Sequence, residues 1–451
     1  MQVINGPNRP QFIQLFEAIA RPTQRLDTYA KKYGDVFVSK LSGFRPFVLF
    51  SHPQAIQQIL TADPNLFDSG VANQILHPLV GDYSLLLLDG SSHQRQRKLL
   101  TPPFHGDRMK SYGTLICEIT EQVMSQQPIG EIFSVRSATQ EISLRIILRA
   151  VFGLDETERF QQLRKLLSSI LDAVGSPLSS TLLFVPALQK DLGAWSPWGK
   201  FVRQRQAINR LIYDEIETRR TKNNIFGEDI LSLMMSAKDE NGQSMTDVEL
   251  RDELMTLLFA GHETTASALA WAFYWIHKLP NVKSKLLAEI NNIGTNFDPN
   301  VVVKLPYLTA VCQETLRIYP IAMFTFSRIL KAPMQIMGYD FASGTQLTPC
   351  IYLTHQREDI YPEPKQFKPE RFLERQFSPY EFLPFGGSNR RCIGMAFAMF
   401  EMKLVLAKVL SQWQMNLAET KPVKPIRRGI TLAPSGGIKM RLIANNHVNL
   451  D

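Results

Sequence analysis

The chain has 451 residues, 44% of them hydrophobic, and a net charge of +8 from 50 Lys and Arg against 42 Asp and Glu. No Gly/Ser-rich tract, long charge block or short-period repeat interrupts it, which argues against linker-joined domains and for a single domain over residues 1–451. The charge is basic without the dense runs of nucleic-acid arms, which excludes nucleic acid and leaves an acidic protein partner or an ordinary solvated surface.

In chain order, Phe12 to Tyr33 reads as helical, Val36 to Val48 as a short strand pair around Gly43, and Pro53 to Leu60 as a helix. The segment from Met1 to Lys40 has no apolar run long enough for a signal peptide or membrane anchor, so the expected location is the cytoplasm, soluble or at most peripheral to a membrane. From about Gln94 to Leu279 the periodicity is almost wholly helical, broken near Pro177, Pro186 and Pro197 and around Asn241-Gly242.

Thr246 and Glu249 form a capping-box pattern and no proline occurs until Pro280, which predicts one helix from about Asp247 to Leu279. At about 1.5 Å per residue it spans roughly 50 Å. Apolar residues lie on all sides before and after its middle, as in a helix that crosses a core. Gly261, His262, Glu263, Thr264 and Thr265 interrupt the centre and make a lone membrane span implausible. Gly261 costs the helix about 1 kcal/mol relative to Ala, and a buried carboxylate costs more unless paired. The polar island therefore points to a site, although Thr264 and Thr265 also suit back-bonding to carbonyls one turn earlier, and Glu263 suits a hydrogen-bonded structural acid.

Leu305-Pro306 opens a short helix that ends before Pro320, with Glu314 and Arg317 three apart on one face; alone, that pair reads as a routine exposed ion pair. Short β-prone pieces run from Met334 to Leu353. Tyr361 to Phe385 then carries Pro362, Pro364, Pro369, Pro379 and Pro384, too many for regular structure. An amphipathic helix follows from about Ile393 to Trp413, and Pro425 to Leu442 reads as strand, turn at Ser435-Gly436-Gly437, and strand.

The 4 cysteines, Cys117, Cys312, Cys350 and Cys392, form no CxxC or zinc pattern, and a reducing compartment fits them. Cys392 lies between the meander and the helix, in Phe385-Gly386-Gly387-Ser388-Asn389-Arg390-Arg391-Cys392-Ile393-Gly394. Glycines before a thiolate let backbone N–H groups turn toward the sulfur. A cationic pair favours the ionised form and can meet anionic propionates, and Gly394 lets the helix begin close against a flat macrocycle. A phosphate cradle is excluded, because neither GxxxxGK[ST] nor GxGxxG is present.

This loop resembles the haem-binding signature of the cytochrome P450 family: Phe, two residues, Gly, one residue, Arg, one residue, Cys, one residue, Gly. Ser388 departs from it, standing where the family has Gly, so its backbone must avoid positive φ or adopt it at a modest cost. Ala260 to Thr265 is similar to the family's oxygen-activation segment, where the helix widens near Gly. Glu314 and Arg317, with Pro369-Glu370-Arg371-Phe372, resemble its cluster of Glu, Arg and Arg, which implies that Glu314, Arg317 and Arg371 brace the cysteine loop. The match runs roughly from Leu26 to Arg441 with its motifs in order.

The resemblance implies a mainly α fold with small β-sheets (α+β), its β-rich part built from the N- and C-terminal segments. Haem b, iron protoporphyrin IX, is expected between the long central helix and the cysteine-loop helix. Cys392 is then the axial iron ligand, Phe385 opens its loop, and His93, Arg97, Arg328 and Arg390 are cofactor partners at the propionates. His93 stands where many relatives carry Trp, and Arg328 follows an expected strand over Phe324 to Ser327. Thr264 is expected to hydrogen-bond the oxygen. Glu263 is expected to relay protons from solvent, which needs a rotatable carboxylate rather than a permanently paired one.

The implied pocket is apolar, with Leu76, Leu86, Leu183, Phe184, Leu257, Phe259, Ala260, Ile321, Met323, Phe324, Leu432 and Ala433 as candidate contacts, each equally open to core packing. The implied reaction inserts one oxygen atom from dioxygen into a C–H bond of a fatty acid, terpenoid or steroid-like substrate. The sequence carries no flavin domain or iron–sulfur cysteine set, so electrons are expected from a ferredoxin or flavodoxin and its reductase, docking on Arg95, Lys98, Arg391 and Lys403. Two rivals stay open: a hydroperoxide-using peroxygenase or isomerase of the same fold, against which the Glu263-Thr264 pair argues, and a haem sensor or carrier without catalysis.

Overall fold

The computed structural model describes residues 4–104, 108–153, 157–175, 189–221, 227–293, 297–419 and 421–445. Helices Gln11–Ala20 and Pro22–Tyr33 lead into β1 (Val36–Ser39) and β2 (Phe47–Phe50), antiparallel with Val36 opposite Phe50. Helix Pro53–Thr61 follows, as the sequence predicts. Further strands are β3 (Phe67–Asp68), β4 (Ile132–Ser134), β5 (Arg328–Leu330), β6 (Met334–Ile336), β7 (Tyr339–Phe341) and β8 (Gln346–Pro349). The last are β9 (Trp413–Leu417), β10 (Pro425–Arg428), β11 (Thr431–Pro434) and β12 (Lys439–Asn445).

One sheet runs β1-β2-β8-β5-β3, with β2 and β8 parallel and Phe47 opposite Gln346. Every residue of β2 is buried, as expected of a strand enclosed between neighbours. A second sheet runs β4-β12-β9. One reading of the sequence needs correction here. The turn at Ser435 to Gly437 does not join a hairpin: β10 pairs with β11 across Gly429, whose φ is 58°, and the later turn hands the chain to β12 in the other sheet. The stretch after Gln94 is almost wholly helical, as read, with the short β4 interrupting it to pair with β12.

The helices form the main core. The helix expected over Asp247 to Leu279 spans Asp247–Lys278, and its capping box is formed: the Glu249 N–H reaches Thr246 Oγ1 at 3.2 Å and the Thr246 N–H reaches Glu249 Oε2 at 2.7 Å. It packs along helix Val135–Phe152. A Cβ on Gly261 would stand 3.1 Å from Ile147 Cδ1 of that helix. The long helix continues as α-helix through this point without widening, so Gly261 acts here as a packing contact. Met395–Gln412 forms the helix after the cysteine loop.

Candidate active site

The cysteine loop is closed by its own backbone. Phe385 C=O accepts the Cys392 N–H at 2.9 Å, and Ser388 C=O accepts the Arg391 N–H at 3.1 Å. Gly387 is extended at φ −160°, and a Cβ there would come within 2.7 Å of Leu60 Cδ1. Ser388 adopts φ 60°. The residue that breaks the family pattern thus takes the left-handed conformation, which costs a non-glycine residue about 1–2 kcal/mol. Gly394 begins the next helix, and a Cβ on it would meet no protein atom within 4 Å, so that face of the loop has room for a flat group.

Cys392 is solvent-exposed. Desolvation by the surrounding protein nevertheless raises its thiol pKa, and the Gly394 N–H, Arg97 and Arg391 pull it down without reversing that. An iron bonded to this sulfur would hold it as thiolate against that desolvation.

The expected propionate partners gather around it. Arg390 raises the electrostatic cost of charge on both His93 and Arg328, and Arg97 acts on His93, Arg390 and Cys392. His93 is buried and held down to about 3 by burial and these cations, so it is a neutral donor near pH 7. Arg328 is not placed after a strand over Phe324 to Ser327; it begins β5. Its guanidinium is buried, its Nη1 has no hydrogen-bond partner among the described residues, and burial with Arg390 lowers it to about 10, so it remains charged. A buried unpaired cation beside a second cation needs an anion. Haem, with its propionates beside these arginines and its iron at Cys392, fits this donor set. Arg390 itself is largely engaged: it donates to Leu85 C=O at 3.1 Å, Leu88 C=O at 2.5 Å and Asp89 Oδ1 at 2.5 Å.

On the long helix, Leu254 to Leu258 and Thr265 to Tyr274 are buried, while Phe259, Gly261, Glu263 and Thr264 are half-buried and Ala260 is exposed. Thr264 Oγ1 donates to Ala260 C=O at 2.6 Å and Thr265 Oγ1 to Gly261 C=O at 3.0 Å, so both hydroxyls back-bond one turn earlier. Glu263 is not the unpaired, rotatable carboxylate expected of a relay. It accepts from Arg136, from Gln140 Nε2 at 3.0 Å and from Ser267 Oγ at 3.4 Å, with Arg428 Nε 3.9 Å away. Arg136 and Gln140 come from the neighbouring helix, and nothing in the local sequence around Glu263 announces them.

The brace is buried, contrary to the exposed-pair reading of Glu314 and Arg317. Arg317 grips Glu314 through Nε to Oε2 at 2.6 Å and Nη2 to Oε1 at 2.9 Å, and Arg371 Nε reaches Oε1 at 3.2 Å. Arg317 also donates to His355 C=O at 2.8 Å. His355, missed in the sequence, completes the link: its Nε2 accepts the Leu383 N–H at 3.1 Å, two residues before Phe385. Burial and Arg317 hold the imidazole down to about 3, which keeps that nitrogen an acceptor.

The apolar candidates divide. Leu432 and Ala433 are wholly buried, and Leu76, Leu257, Ile321 and Met323 nearly so; Leu432 and Met323 belong to the core cluster under the N-terminal helices. Leu86, Phe259 and Phe324 are half-buried. Ala322, passed over in the sequence, is exposed, because the chain after Pro320 alternates and turns Ile321 and Met323 inward. Leu183 and Phe184 lie outside the described residues. The basic docking face is also reduced. Arg95 pairs with Asp239 at 2.6 Å and Glu249 at 2.7 Å, Lys98 pairs with Glu240, and Lys403 donates to Val303 C=O at 2.7 Å. Arg391 is exposed and meets Met395 Sδ at 3.0 Å.

The cysteine loop and its buried brace sit in a chain whose residues 5–440 match the family model for cytochrome P450, a family of haem-thiolate enzymes. The chain belongs to the cytochrome P450 family and is an oxidoreductase of the monooxygenase type. It is 34% identical over 445 residues to the protein of Mycobacterium bovis designated cytochrome P450 135B1, covering 98% of this chain and 92% of that one. It is 32% identical over 449 residues to the Mycobacterium tuberculosis protein designated cytochrome P450 135A1, covering 97% and 94%. Among solved structures, the heme domain of cytochrome P450DA superposes with a TM-score of 0.85 at 22% identity, covering 98% of this chain and 97% of that one. Retinoic acid bound cyanobacterial CYP120A1 gives 0.82 at 23% identity, covering 96% of each. Among the described residues no helix is long and apolar enough to cross a membrane.

Proposed function

We propose that this enzyme hydroxylates an apolar substrate of fatty-acid, terpenoid or steroid size, with electrons from a separate ferredoxin or flavodoxin and its reductase, acting as one domain over the whole chain. The observation that carries the reading is the break in burial midway along the long helix, where apolar Phe259 and Ala260 and polar Glu263 and Thr264 come out of an otherwise closed core. Haem supplies the oxygen chemistry, with Cys392 as its thiolate ligand. Arg328 and Arg97 charge-pair its propionates, with His93 and the remaining Arg390 N–H as donors. Phe259, Ala260, Ala322 and Phe324 orient the substrate by apolar contact, and Thr264 releases its bond to Ala260 C=O to hydrogen-bond oxygen. Glu263 passes protons inward at the end of the Arg136 and Gln140 chain.

The test is a titration with fatty acids, terpenoids and steroids, read as the spin-state shift that follows loss of water from the iron, then product analysis with NADPH and donor proteins. Turnover with hydrogen peroxide and none with any donor system refutes the dioxygen reading. One observation favours that hydroperoxide alternative: the pairing of Glu263 with Arg136, which restrains a carboxylate that dioxygen activation would need to move.

A further inference from the structure

Arg390 hangs from a segment that is itself hung from the long helix. Asp252 and Glu253 are fully buried on that helix. Asp252 Oδ2 accepts the Tyr83 N–H at 2.8 Å, Glu253 Oε1 accepts the Leu85 N–H at 2.8 Å, and Thr256 Oγ1 meets Ser84 Oγ at 2.7 Å. Three side chains within little more than one helical turn thus hold three consecutive residues. The approach is close: a Cβ on Gly81, whose φ is 87°, would lie 2.1 Å from Asp252 Oδ1.

The far end of the same segment meets the cysteine loop. Leu85 is bonded on both sides, its N–H to Glu253 and its C=O to Arg390 Nη1 at 3.1 Å. Asp89 binds Arg390 Nη2 and is fixed in turn by the Ser69 N–H at 3.0 Å and the Gly70 N–H at 2.8 Å. Helix Gly90–Leu100, with His93 and Arg97, starts at the next residue.

We propose that Glu253 is a positioning residue for the haem site: through the peptide of Leu85 it fixes Arg390, and with Asp252 and Asp89 it sets the strap 83–89 that leads into the His93 and Arg97 helix. A buried acid on the oxygen side of the fold thereby controls a cation on the sulfur side. The proposal rests on Arg390 facing a propionate, and the test separates the two claims.

The haem-loaded protein is compared in wild type, Glu253→Ala, Glu253→Gln, Arg390→Ala and the double variant Glu253→Ala/Arg390→Ala. The readouts are the rate of haem transfer to excess apomyoglobin and the ferric/ferrous midpoint potential. Leu254→Ala, a buried apolar deletion one residue away, controls for loss of stability alone. Glu253→Ala is expected to release haem about tenfold faster, the worth of one ordinary hydrogen bond. Glu253→Gln keeps the acceptor oxygen and should restore the wild-type rate and potential. The double variant should be no faster than Arg390→Ala alone, since both act on one path. Additive effects, or the same acceleration in Leu254→Ala, overturn the role of Glu253. An Arg390→Ala protein with unchanged haem loss and potential overturns the propionate assignment beneath it.

Discussion

Replacing Ser388 by Gly tests the one place where the cysteine loop departs from its family. Ser388 is exposed and holds φ at 60°. Relief of the left-handed strain is worth about 1–2 kcal/mol. Against it stands the greater freedom of Gly in the unfolded chain, about 0.4–1 kcal/mol. The balance is a stabilisation of about 1 kcal/mol or slightly less. Equilibrium denaturation of the haem-loaded protein, followed by haem absorbance and far-ultraviolet circular dichroism, measures it. Asn389→Gly supplies the opposite sign, because Asn389 lies in the short helix Ser388–Arg390 and outside the positive-φ residues; there Gly should cost about 0.5–1 kcal/mol. If Ser388→Gly is neutral or destabilising while Asn389→Gly is destabilising, the serine carries no strain and the argument fails.

Glu314→Ala leaves Arg317 and Arg371 without their carboxylate inside the protein and should cost about 3–5 kcal/mol, seen as early unfolding and loss of haem during purification; a loss below about 1 kcal/mol would reduce the cluster to an ordinary ion pair. Burial raises the Glu401 carboxyl from 4.5 to about 8, with Ser143 pulling it the other way. The folded protein keeps this proton where the unfolded chain has released it, so stability should fall as pH rises through that interval. Glu401→Gln should flatten the slope, and an unchanged slope in unfolding midpoints against pH would assign it to other groups. Arg391→Glu should slow reduction by a ferredoxin or flavodoxin at low ionic strength while leaving the haem spectrum intact, and Lys98→Glu should do less because Lys98 already meets Glu240; equal reduction rates in wild type and Arg391→Glu would remove the docking role.

The long helix was legible because its signals are local: the Thr246 cap, the all-round apolar pattern and the wait until Pro280. The cysteine loop was legible for the same reason. What escaped involves partners far away along the chain. Arg136 reaches Glu263 from another helix, His355 joins Arg317 to Leu383, and Asp89 meets Arg390, none at a spacing that helix or strand periodicity reveals. The turn at Gly429 between β10 and β11 was missed because Ser435-Gly436-Gly437 is the stronger turn signal in the sequence, and nothing local shows which sheet receives β12. For Leu432 the sequence left pocket and core equally open, because an apolar residue facing a pocket and one facing the core look alike in sequence.

The parallel pairing of β2 with β8 bears on when the enzyme can take up its cofactor. Phe47 emerges early in synthesis, yet its neighbour is Gln346, and contacts that distant form late. During translation β2 has one edge unmatched until most of the polypeptide has left the ribosome, and Cys392 follows later still. Ligation of haem by Cys392 would therefore come after both β2 and β8 have been made. A pause in translation before β8 would leave a waiting strand edge open to the wrong partner.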